Sequence, residues 1–175
     1  MNALNKSLST YAAYHRDPRN IATHFVGVPM IVLAVTAFVS RPAFELAGVV
    51  LSPAWLAVLA ASIFYWRLDV RLGLTMSVLL SLGALAASVI AAQSTAVWLS
   101  VSAGLFFVGW VIQFVGHFFE GRKPAFVDDL IGLLVGPLFV TTEVVFALGL
   151  RAELKAEVEK IAGPVRVRST TPHAA

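Results

Sequence analysis

WVIQFVGHFFEGRKPAF, residues 110–126, opens as a membrane helix and then sets Gln113, His117 and Glu120 into the apolar run. Their spacing of i, i+4 and i+7 puts an amide, an imidazole and a carboxylate on one helical face. Burying such groups among Phe, Val and Trp is costly, and ionisable residues inside a span usually mark a working site. Each needs a partner elsewhere in the chain.

The rest of the sequence fits a membrane setting. Of 175 residues, 58% are hydrophobic and 13% charged, with a mean hydropathy of +0.82. Soluble domains are typically about 45–50% apolar and about 25% charged. The length predicts one membrane-embedded helical domain over 1–162, with 163–175 as a disordered polar tail holding His173. The chain has no cysteine, which excludes disulfides, thiolate-bound zinc, Fe–S clusters and Cys nucleophiles. Any metal must be held by His, carboxylate, amide or water. The net charge of +3 and pI near 9.6 reside in loops and tail, so they report topology and anionic lipid, not nucleic acid. Residues 1–20 carry charge throughout and lack an apolar signal core, so they are expected to be retained. Leu4, Leu8 and Tyr11 there predict a short amphipathic helix at the membrane interface.

Residues 21–39, 72–92 and 96–119 each have the length of a span, roughly 17–25 residues. Residues 53–66 form a shorter fourth. Residues 130–150 are apolar but contain Gly136-Pro137 and then Glu143, so a break is expected there. Positive charge decides the orientation: Lys6, Arg16, Arg19, Arg67, Arg71, Arg122 and Lys123 all fall on one side of a four-span topology. A fifth full span would carry Arg151, Lys155 and Lys160 to the opposite side, so 130–150 reads as a broken, re-entrant segment. The expected fold is therefore an all-α bundle of about four transmembrane helices plus that segment and amphipathic terminal helices. The last of these carries Leu154, Val158 and Ile161 and ends at Gly163-Pro164. Both termini are expected in the cytoplasm, and the Ala- and Arg-rich composition points to a bacterial inner membrane. A homo-oligomer is compatible with this reading.

This topology gathers His15, His24 and His117 on one side of the bilayer. Tyr11 and His15 share a face, as do Asn20 and His24. His15 and His24 are nine residues apart, about half a turn out of phase on one straight helix. Asp17-Pro18 between them predicts a break, because the residue before proline avoids the helical region. The break lets both imidazoles turn toward one point, and Gly27 and Pro29 let the first span bend or approach a neighbour closely. Three neutral imidazoles suit a divalent first-row metal such as Fe(II) or Zn(II). Gln113, Asn20 and Glu120 then serve to orient the rings, with direct ligation by Glu120 as the alternative. Asp128 and Asp129 precede the next apolar run and read as helix caps. Glu143, past the expected break, needs a partner.

YAAYHRDPRNIATHFVGVP (11–29), QFVGHFFEGRKPA (113–125) and GPLFVTTEVVFALG (136–149) together resemble the signature blocks of the Mpo1-like family, in content and in order. The resemblance runs from about Tyr11 to Leu150. It implies an iron(II)-dependent dioxygenase of fatty acid α-oxidation, which uses O2 to convert a 2-hydroxy fatty acid to the acid one carbon shorter. It further implies that His15, His24 and His117 are the iron ligands, with Gln113 and Glu120 at the family's neighbouring polar positions; Glu120, Gln113, Tyr11 and Asn20 are the candidate catalytic residues. A 2-hydroxy acid can chelate such a metal through its hydroxyl and one carboxylate oxygen. Arg122 and Lys123, beside the His117 block, are candidates to attract that carboxylate and also read as topology anchors.

Three rivals compete. Di-iron membrane hydroxylases need about eight histidines, and this chain has four. An ion or proton transporter fits intramembrane His and Glu, but no inverted repeat or polar trail crosses the other spans. A non-catalytic membrane scaffold would not need three aligned histidine motifs, and the alternative to the enzyme is a non-catalytic metal-binding membrane protein or the transporter.

Overall fold

The Asp17-Pro18 step separates two helices. In the computed structural model, which describes residues 1–166, α1 spans Ala3–Ala12 and α2 spans Pro18–Phe38. Asn2 caps α1 by accepting from the Asn5 N–H, and Asp17 caps α2 by accepting from the Arg19 N–H. Side-chain caps of this kind satisfy orphan donors at a helix start. Then follow α3 (Pro53–Leu68), α4 (Val70–Ala91) and α5 (Thr95–Glu120). A single 3-10 turn at Ala125–Val127 leads to α6 (Gly132–Ala147) and α7 (Ala152–Ala162). Among the described residues, α2, α4 and α5 are long and apolar enough to cross a membrane. The apolar helices α3 and α6 have 16 residues each. A helix of that length falls a little short of a hydrocarbon core about 30 Å thick.

The loop over 40–52 holds an element the all-helical reading did not anticipate. Phe44–Leu46 (β1) and Val49–Leu51 (β2) form an antiparallel hairpin in the register Phe44 to Leu51. Ala47 and Gly48 both take positive φ, 51° and 79°, as a two-residue hairpin loop requires. Ala-Gly is a weak turn signal, which is why the hairpin was not legible beforehand.

Contacts distinguish the two ends of the bundle. At one, Arg41 donates to the Ala91 carbonyl at 2.7 Å and sits 4.6 Å over the Trp98 ring. At the other, Arg151 pairs with Asp69 at 2.8 Å, Arg122 donates to the Ala13 carbonyl, and the Tyr14 hydroxyl donates to Asp128. The terminal helices meet at this second end, where the Asn5 amide donates to Glu157. The α1 face of Leu4, Leu8 and Tyr11 is buried against α6 and α7. On α7, Leu154 and Val158 are buried, but Ile161, expected on the same face, is exposed.

The break expected at Gly136-Pro137 is absent. α6 runs continuously through Pro137. The proline is the sixth helical residue, so it deletes only the bond to the Leu133 carbonyl, close to an end where several donors lack intrahelical partners anyway. Yet α6 does not run from one end to the other. Asp128 before it bonds Tyr14 and Arg151 after it bonds Asp69, both at the same end. Both flanks of this unbroken helix are thus tied to one end of the bundle.

The Asp69–Arg151 pair predicts an acid-sensitive latch. Arg151 beside Asp69 holds that carboxyl below the usual carboxylate range. Its stabilisation is therefore present above the ordinary carboxylate value and lost as pH falls through the lowered one. Arg151→Ala is expected to cost about 1 kcal/mol at neutral pH, given partial solvent screening. Thermal melts at pH 7 and at pH 3 should differ less in the variant than in the parent. An equal pH response would remove this role from the pair.

Candidate metal centre

Small residues bring the two histidine-bearing spans together. A Cβ on Gly27 would meet the Gly109 carbonyl at 2.9 Å and the Gln113 side chain at 3.0 Å. One on Gly116 would meet Thr23 Oγ1 at 2.0 Å and Asn20 Oδ1 at 2.5 Å. The backbones of α2 and α5 can approach this closely only with hydrogen at these positions. The close approach anticipated at Gly27 is thus observed, and Gly109 and Gly116 complete it. Their seven-residue spacing on one helical face was a legible signal that the sequence reading passed over.

On this scaffold His24 on α2, His117 on α5 and His15 in the α1–α2 connection converge. All three are buried, and each offers a ligand atom within 4.8 Å of the others'. Ring centroids lie 4.3 Å apart for His15 and His24, 4.9 Å for His15 and His117, and 5.2 Å for His24 and His117. His15 Nδ1 contacts the Tyr11 carbonyl at 2.7 Å, and His24 Nδ1 contacts the Asn20 carbonyl at 2.8 Å. A carbonyl only accepts, so each Nδ1 carries the proton and each Nε2 of a neutral ring presents a bare lone pair. Those two Nε2 atoms face each other at 3.0 Å. Burial, followed by the neighbouring His24, holds His15 well below the ordinary imidazole value, which disfavours a proton shared between them. His117 Nδ1 is buried with no hydrogen-bond partner among the described residues. Two opposed lone pairs beside a third imidazole fit a divalent cation, which gains a bond to each ring.

Around the triad, Tyr11 stacks on His15 at 4.2 Å, and its backbone carbonyl fixes that ring's tautomer. Burial raises the Tyr11 phenol above its ordinary value, so it stays a proton donor. The Asn20 carbonyl does for His24 what the Tyr11 carbonyl does for His15. Gln113 is buried and lines a small cavity with Tyr11, His24 and His117, and its Oε1 has no partner among the described residues. Glu120 faces the chain that carries His15. Its Oε2 accepts from the Arg16 N–H at 3.0 Å, the Asp17 N–H at 2.7 Å and the Asn20 amide at 3.1 Å. Its Oε1 lies 3.3 Å from the Arg166 guanidinium, an ion pair without hydrogen-bond alignment. Glu120 thus clamps the turn between His15 and α2.

Arg122 and Lys123 lie outside the cavity. Arg122 is held by the Ala13 carbonyl and Lys123 by Asp128. Asp129 caps the chain before α6 by accepting from Ile131. The partner of Glu143 is Arg16, 4.0 Å away. Arg16 is the residue the sequence reading missed. It is buried, donates to the Ala12, His15 and Gly163 carbonyls, and ties the histidine turn to the end of α7. Residues 163–166 take part in this arrangement, since the Arg166 N–H also donates to the Arg16 carbonyl at 2.8 Å. His173 and the rest of the expected tail lie outside the described residues.

The sequence matches a family model described as "2-hydroxy-palmitic acid dioxygenase Mpo1-like" over residues 1–148. The 2-hydroxy-palmitic acid dioxygenase MPO1 of Saccharomyces cerevisiae is 36% identical over 158 residues, covering 89% of this chain and 87% of the yeast protein. No solved structure matches at a significant level.

Proposed function

This chain belongs to the Mpo1-like family, and from that premise we propose that it is an iron(II)-dependent dioxygenase that uses O2 to shorten 2-hydroxy fatty acids by one carbon. The observation that carries the reading is the pair of buried Nε2 lone pairs facing at 3.0 Å beside His117. His15, His24 and His117 would hold the iron. Bound there, iron would supply the redox chemistry with O2 that no side chain of this protein can perform.

The chain's own residues do the rest. The Tyr11 and Asn20 carbonyls keep both Nδ1 protons in place, so the Nε2 atoms stay available as donors of electron pairs. Gln113 offers a buried amide to the hydroxyl or carboxylate of the acid, and Val28, Ile31, Trp110 and Phe126 exclude bulk water around it. Glu120 holds the His15 turn against the bundle. The polar groups gather at one end with apolar spans beyond, which supports the enzyme over a transporter. A cytoplasmic site in an inner membrane, with four crossings, agrees with the distribution of Lys and Arg.

The test is product analysis. Protein loaded with Fe(II) under anaerobic conditions and then given 2-hydroxypalmitate and O2 should yield the acid one carbon shorter by mass spectrometry. Metal-replete protein that leaves the substrate intact would overturn the activity. Gln113→Leu is expected to keep its iron while turnover falls about 10–100-fold, measured as metal content and product on the same sample. Loss of metal in that variant would instead make Gln113 part of the metal's support.

A further inference from the structure

Two clefts among the described residues share walls with the cavity at the triad, and they differ in chemistry. Its own volume is only about 60 Å³. That is room for a few waters or the polar head of an acid, and not for a long acyl chain. One neighbouring cleft, of about 350 Å³, shares Tyr11, Ala125 and Gly132 with it and is lined by Lys6, Asp128 and Asp129. The other, of about 410 Å³, lies between α2, α4 and α6 and shares Val28, Val32 and Pro137 with the triad cavity.

This second cleft is almost wholly apolar. Among the described residues its one polar side chain, Thr141, has its hydroxyl against the Met76 sulfur at 3.2 Å. Pro137 has no N–H, so the wall common to both cavities presents no backbone donor at that position. On α2, His24, Val28 and Val32 follow one another at i, i+4 and i+8, so the wall continues the face that carries the ligand. On α4 the cleft extends from Met76 to Ala86, about 15 Å along the helix. α2 and α4 both start at the triad end, so the groove runs from the depth of His24 toward the opposite end of the bundle. A methylene chain placed there removes apolar surface from water or lipid headgroups at no polar cost, whereas the first cleft would set it beside two carboxylates and a lysine.

We propose that the groove along α4, entered between Val28, Val32 and Pro137, holds the acyl chain of the 2-hydroxy acid and selects its length. This assignment rests on the proposed dioxygenase reading for the identity of the head group. Gly83 is the position that tests it. It lines the groove, is half-buried, and a Cβ there meets nothing within 4 Å. A larger side chain therefore enters open space, and replacing glycine inside a helix improves its intrinsic propensity.

Gly83→Phe is expected to lower the ratio of 2-hydroxypalmitate to 2-hydroxyoctanoate turnover about tenfold. Val111→Phe, on the exposed outer face of α5, should leave the ratio as in the parent. A reading independent of turnover comes from 2-hydroxypalmitate carrying a terminal diazirine. Photolysis should place adducts on α4 between residues 79 and 86, competed by unlabelled 2-hydroxypalmitate and reduced in Gly83→Phe. An unchanged length ratio in Gly83→Phe, adducts at the polar cleft, or adducts spread over the outer face of α5 would each overturn the groove. If the parent shortens no 2-hydroxy acid of any length, the dioxygenase reading fails, and the adduct positions still decide where the chain lies.

Discussion

His117→Ala is expected to empty the centre and abolish shortening of 2-hydroxy acids, while the protein remains folded in detergent. His117 occupies the last turn of α5, and its Nδ1 makes no hydrogen bond among the described residues, so its loss breaks no network. Removing one of three imidazoles takes away a ligand outright. The change should cost far more than the 10–100-fold typical of a supporting residue. His15→Ala and His24→Ala should match it in metal content, and His173→Ala, outside the described residues, should resemble the parent. The measurement is iron per chain by elemental analysis beside product formed, with a melting curve to check folding. A His117→Ala protein that keeps iron and turnover would remove the metal centre from this account.

Glu120→Ala is expected to be nearly as damaging, by a different route. From the sequence alone, Glu120 stands with Gln113 as a polar neighbour of the histidines. In the structure its carboxylate accepts from two backbone N–H groups and the Asn20 amide, and pairs with Arg166. Truncation leaves buried donors at Arg16, Asp17 and Asn20 without this acceptor, at about 1–3 kcal/mol for each donor left unsatisfied. His15 sits on the turn so released, so the variant should lose both thermal stability and metal affinity. Glu120→Gln keeps an accepting oxygen and should recover much of the first and part of the second. If Glu120→Ala melts like the parent and binds metal as tightly, the clamp is not what holds His15.

Composition and hydropathy were sufficient to predict a bundle of long apolar helices, since a run of apolar residues is a local property. The same holds for the break at Asp17-Pro18, where proline chemistry acts on the residue before it. The three histidines could be proposed together because they fall on one side of one charge-derived topology. Their family follows from the blocks around them. What no local rule carried was the part each polar group plays. Gln113, His117 and Glu120 share a helical face, yet one lines the cavity, one joins the triad and one clamps the opposite chain. That division depends on which partner lies opposite each turn of α5, which is set by the Gly27, Gly109 and Gly116 contacts with α2. Arg16 likewise reads as a topology charge until α7 folds back and brings the Gly163 carbonyl to it. Pro137 reads as a breaker until its position near the start of α6 is known, where only one intrahelical bond is at stake. Chain order supplies the groups and their local conformations, and the approach of helices distant in sequence decides which of them touch.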